Sequence, residues 1–249
     1  MKDYILEVCV DSVESALNAS RGGANRLELC GNLIIGGTTP SPWLMKEIQK
    51  HTSVKINVLI RPRFGDFYYS DYEFNIMKKE IEMFGRLGAN GVVIGMLKPD
   101  GRLDMERMRE LILAAGDMSI TMHRAFDVCV DPFEALEQAK ELGISTILTS
   151  GQASDCLSGK ELLKELVSKS KGEVDILLAG GVNAQVIETM RPYTQATSYH
   201  MSGNVIIDSE MTYRKEGVYM GLDFLSEYEV YRTDEQKIRD AKEVLDKIM

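Results

Sequence analysis

Short apolar runs recur along the chain with a regular spacing. They read YILEVCV (4–10), RLELC (26–30), KINVLI (55–60), GVVIG (91–95), SITMH (119–123), TILTS (146–150), DILLAG (175–180) and SYHMS (198–202). Each has the length and β-branched content of a strand. Their starts lie 22 to 36 residues apart, about one βα unit each. Amphipathic segments with helix punctuation fill the gaps. DSVESALNASRGG opens on capping residues and closes on Gly22 and Gly23, while DMERMRELILAAG and DPFEALEQAKELG run from Asp to Gly. GKELLKELVSKSKG and the terminal TDEQKIRDAKEVLDKIM are amphipathic at helical spacing. Eight strands alternating with helices predict a (β/α)8 TIM barrel. No linker divides the chain, so residues 1–249 are read as a single domain, with 203–232 a loop insertion before the last helix. The rival open sheet lacks its G-x-G-x-x-G after the first strand, and SGKEL lacks P-loop spacing, so no nucleotide-cofactor motif is present.

Alternation then sorts the strand residues. Helices cover the outer face of such a barrel, so the outward set must be apolar. Leu6, Val8 and Val10 point out, which leaves Glu7 and Cys9 inside. The same rule puts Glu28 and Cys30, Asn57 and Leu59, Thr121 and His123, and Ser198, His200 and Ser202 inside, with Arg61 at the rim. A barrel interior is normally filled by Val, Ile and Leu. Buried charge is costly unless paired, so these groups either neutralise one another in an ion-pair cluster or form a site. Their place toward the C-terminal strand ends, where barrel active sites lie, favours a site.

Composition narrows the ligands. The net charge of −9 over 249 residues argues against a nucleic-acid partner. No apolar run reaches the ~20 residues needed to span a membrane, and the N-terminal stretch carries Asp3 and Glu7 where a signal peptide would be apolar. Cys9, Cys30, Cys129 and Cys156 are dispersed, consistent with a reduced cytoplasmic setting.

One chemistry is that of an enzyme acting on a small anionic or phosphorylated metabolite. His123 and His200 are the acid/base candidates, and Glu7, Glu28 and Asp127 orient them or act as bases. Arg61, Arg63 and Arg124 would clamp the anion, with Asp66, Ser150, Gly180, Gly181 and Ser202 completing the binding surface. The loop AGGVNA leads into a helix as phosphate loops of barrels do. Another chemistry is metal binding. Cys9 and Cys30 each follow an inward glutamate by two residues on neighbouring strands, close enough for the thiols to face each other. Soft thiolates suit Cu(I) or Zn(II), although two ligands do not close a zinc site and the pair also reads as packed thiols. A scaffold without chemistry is the remaining alternative, with the long aromatic segment 203–232 as a surface for self-association.

The ordered set LEVCVDSVESALNASRGGANRLELC, GGTTPS, IRPRFGDFYYSDYEF, GVVIGMLKPDGRLD, HRAFD and LTSGQASDCLSG, with the region around His200, resembles the copper-homeostasis protein CutC family over residues 4 to 216. The resemblance implies a cytoplasmic TIM barrel, a homo-oligomer, and copper tolerance or copper binding. By it, Cys9 and Cys30 match the copper ligands, and Arg61, Arg63, Asp66, His123, Arg124, Asp127 and His200 match a polar cluster at the barrel mouth. Ser198 departs from the acidic residue usual two positions before the last histidine, and the loop LAGGV is poorer in glycine than is common, which weakens a phosphate site.

Overall fold

A computed structural model describes residues 4–218, 220–222 and 225–248. Eight parallel strands close into a barrel in chain order: β1 (Ile5–Val10), β2 (Arg26–Leu29), β3 (Lys55–Leu59), β4 (Gly91–Ile94), β5 (Ser119–Met122), β6 (Thr146–Thr149), β7 (Asp175–Leu178) and β8 (Ser198–Met201). The helices are α1 (Val13–Gly22), α2 (Pro42–Gln49), α3 (Asp71–Arg86), α4 (Met105–Ala115), α5 (Pro132–Glu141), α6 (Lys160–Ser170), α7 (Ala184–Thr194) and α8 (Glu235–Ile248). No helix among the described residues is long and apolar enough to cross a membrane.

Local chemistry sets these boundaries. The Ser12 hydroxyl accepts from the Ser15 amide at the start of α1, and Gly23 ends it at φ +99°, a left-handed conformation that glycine adopts without strain. Asp131 caps α5 ahead of Pro132. At α3 the Ser70 side chain and Glu73 form a reciprocal capping box.

The outward residues Leu6, Val8, Leu27, Leu29, Val58, Ile60, Val92, Ile94, Met122, Ile147, Leu178 and Tyr199 merge with the inner faces of the helices into one core. Each such side chain contributes about 1.5–3 kcal/mol by leaving water. That shell frees the barrel interior from being the main source of stability. Inside, Cys9, Cys30, Leu59 and Val93 form one small apolar cluster, and Leu148, Leu177 and Ala179 another.

Two parts of the chain differ from the sequence reading. Helices α2, α3 and α7 add to those read from punctuation. The segment 203–232 is not all loop. It carries β9 (Asn204–Asp208) and β10 (Glu229–Thr233), which pair antiparallel from Asn204–Thr233 to Asp208–Glu229. β9 has no buried face and β10 buries only Thr233 at its end, so no alternation marked them. Tyr219, Asp223 and Phe224 of this segment lie outside the described residues.

Candidate functional site

Three adjacent strands build one side of the barrel mouth. The β1–β8 register sets Glu7 opposite His200, and the β1–β2 register sets Cys9 opposite Glu28. His200 Nδ1 lies 2.8 Å from Glu7 Oε1, and the second Glu7 oxygen accepts from Arg26 Nε. His200 Nε2 stands 3.8 Å from Glu28 Oε2. The ligand atoms of Cys9, Glu28 and His200 all lie within 4.8 Å of one another. Cys30 is not part of that group: its thiol donates to Glu28 Oε2 at 3.4 Å. Cys9 and Cys30 share one small cluster, and the strand register sets the Glu28 carboxylate directly opposite Cys9.

Electrostatics divide these groups. Burial pushes the Glu7 carboxyl up, but Arg26 and His200 outweigh it and hold the group below the ordinary carboxylate value. Glu28 is pushed up by burial, with Glu7 adding and His200 opposing. Burial and the Glu28 carboxylate push the Cys30 thiol well above its ordinary value. Burial pulls His200 down, yet Cys9, Glu28 and Glu7 raise it well above an ordinary imidazole. Arg26 was missed at the sequence level, although its parity with Glu28 marks it as inward.

The other side of the mouth comes from β3, β5 and the loops after them. His123 is 4% exposed and its Nδ1 accepts from the Ala125 amide at 3.1 Å. Burial and the Arg61 charge lower its pKa to about 3. Gly95 makes room for the ring, since a Cβ there would stand 2.6 Å from Nδ1 and Cε1. The Arg61 guanidinium donates to the carbonyls of Gly36, Gly37 and Gly65 and lies 5.1 Å from the Phe67 ring centre. A cavity of about 220 Å³ is lined by Cys9, Glu28, Arg61, Phe67, His123 and His200, among others. A second of similar volume shares Cys9, Arg124 and His200 with it and runs to Gly180, Gly181 and Ser202.

The remaining candidates are engaged elsewhere. Arg63 donates to Glu73, Asp66 and the carbonyls of Phe64 and Tyr68, fastening its own loop, and neither it nor Asp66 lines the two cavities. Asp127 accepts from Arg124 Nε, the Thr149 and Ser150 hydroxyls and the amides of Ser150 and Gln152. Ser150 in turn accepts from Arg124 at 2.8 Å, so this set aims Arg124.

A closed (β/α)8 barrel with a thiol, an imidazole and a carboxylate converging at its C-terminal mouth is the class of protein that fold and site define. The sequence profile of the CutC family matches residues 4–205. A CutC family protein of Parabacteroides distasonis is 46% identical over 237 residues, 94% of this chain and 98% of the relative. The copper homeostasis protein CutC homolog of Homo sapiens is 40% identical over 247 residues, covering 99% of this chain and 90% of its own. The crystal structure of a CutC protein from Streptococcus agalactiae superimposes with a TM-score of 0.76 at 29% identity, covering 80% of this chain and 98% of that one. The chain belongs to the CutC family.

Proposed function

We propose that the protein serves copper homeostasis by holding Cu(I) between Cys9 Sγ and His200 Nε2, with the Glu28 carboxylate as a neighbouring donor. The observation that carries this reading is the convergence of three donor atoms within 4.8 Å, with the far nitrogen of His200 tied to Glu7. A metal-ligating histidine usually gives its second nitrogen to a carboxylate, which fixes the ring and its tautomer. Thiolate and imidazole suit a soft ion, whereas an all-oxygen set would suit Mg²⁺ or Ca²⁺. Cys30 stands behind Glu28 as a protonated thiol in reserve. The four free cysteines fit the reducing cytoplasm. The names of the human relative and of the Streptococcus agalactiae structure agree with a copper role. X-ray absorption of the copper-loaded protein tests the ligand set. One sulfur with nitrogen or oxygen neighbours is expected, and a shell of sulfur alone would overturn the assignment.

Self-association through the β9–β10 hairpin belongs to the same reading. Ile206, Ile207 and Val230 are exposed there, an apolar surface that the packing of β10 on α1 leaves uncovered. Light scattering is expected to show an oligomer, and a clean monomer would count against it.

A further inference from the structure

We propose that the mouth holds, beside the thiol–imidazole–carboxylate cluster, a separate subsite for a short organic carboxylate, built from the Nε2–H of His123 and the Nε–H of Arg61. A backbone amide can only donate, so the bond from Ala125 N fixes His123 Nδ1 as a lone pair. The low pKa keeps the ring neutral, and its proton therefore sits on Nε2. That nitrogen is buried and has no hydrogen-bond partner among the described residues. The terminal nitrogens of Arg61 are spent on three loop carbonyls, while its buried Nε meets no hydrogen-bond partner among the described residues.

These two unpartnered donors belong together. Both side chains pack on Phe67, Arg61 at 5.1 Å and His123 at 4.9 Å from its ring centre, and both line the cavity of about 220 Å³. Buried donors in proteins are nearly always satisfied, so two unpartnered donors on residues that line one cavity call for a ligand that accepts. The two donors offer no acceptor in return and one of them carries positive charge, which favours a carboxylate over a neutral amide or an amine beside them, while Glu28, which lines the same cavity, has its carboxyl pushed up by burial. The cavity is smaller than one that takes a drug-sized molecule, so a metabolite of few carbons fits. Leu33, Leu59 and Leu148 supply apolar walls for its carbon chain. A neutral imidazole held as a donor also suits polarising a carbonyl next to the carboxylate.

The chain has three histidines, so a protein labelled with ¹⁵N-histidine resolves each ring by NMR. At neutral pH His123 is expected to show the neutral Nε2–H form, and titrated pyruvate is expected to shift that resonance. Acetate should act similarly but more weakly, and acetone should not act. His123→Phe and Arg61→Lys, checked for folding by circular dichroism, are each expected to weaken pyruvate binding roughly 10- to 100-fold by calorimetry. The response is expected to survive in Cys9→Ser, which removes the proposed copper ligand and so separates this subsite from the metal reading. An unmoved His123 resonance with pyruvate and acetate alike, a proton on Nδ1, or loss of the response in Cys9→Ser would each overturn the proposal.

Discussion

The two sides of the barrel mouth bury polar groups in opposite ways. On β8, β1 and β2 the charges answer one another: Glu7 is held by Arg26 and His200, and Glu28 lies between His200 and the Cys30 thiol. Just past β3 and β5 the backbone satisfies one end of His123 and most of Arg61, and leaves one N–H of each without a partner among the described residues. The first arrangement is a paired network into which an ion can fit by displacing protons. The second is a set of donors that only an outside acceptor completes. Burial alone therefore does not separate structural charge from ligand-binding charge; the count of satisfied bonds does.

Breaking the paired side has the largest expected effect. Glu7→Ala leaves Arg26 and His200 without their buried partner and is expected to cost about 3–5 kcal/mol in urea unfolding. The same change removes the carboxylate behind His200 and is expected to weaken Cu(I) binding about 10- to 100-fold. A loss below about 1 kcal/mol would mean that the network is solvated rather than paired.

The donor side shows itself in the pH dependence of stability. The folded pKa of His123 is about 3 against an ordinary 6.5, so between those values the unfolded chain takes a proton that the folded chain refuses. Stability from this residue is complete above about pH 6.5 and falls on acidification through the window. By pH 4.5 the difference amounts to about 3 kcal/mol, and His123→Gln is expected to lose that part of the slope. An unchanged slope would contradict a neutral buried ring.

Gly95→Ala tests the same side by crowding. A methyl group 2.6 Å from the imidazole must displace it, with an expected cost of about 1–3 kcal/mol, loss of the pyruvate response and retained Cu(I) binding. The smallest effect is expected at Arg63→Ala. Its side chain is 38% exposed and only fastens its loop, so stability should change by less than about 1 kcal/mol and neither ligand should be affected. A loss of pyruvate binding there would redraw the donor side.

Much of this was legible in the sequence because helix coverage forces an apolar outer face. Parity placed Glu7, Cys9, Glu28, Asn57 and His123 inside, and all are buried. The stagger between neighbouring strands was not legible, because closure of the whole barrel sets it, and that stagger gives Cys9 a carboxylate as its neighbour. Nor does a one-dimensional pattern show which charges are already spent. Arg61 and Arg63 read alike in RPRFGD, yet one lines the cavity and the other turns onto Glu73 and Asp66. The β9–β10 hairpin escaped notice because Ile206 and Ile207 are both exposed, so periodicity had no buried face to report.

The most direct measurement is an anaerobic Cu(I) titration against a competing chelator with the two cysteines changed one at a time. Cys9→Ser is expected to weaken binding by more than about 100-fold, and Cys30→Ser by less than about 10-fold, because only Cys9 stands with His200 and Glu28. Equal losses in the two variants, or an unchanged affinity in Cys9→Ser, would contradict a copper site centred on Cys9 and His200.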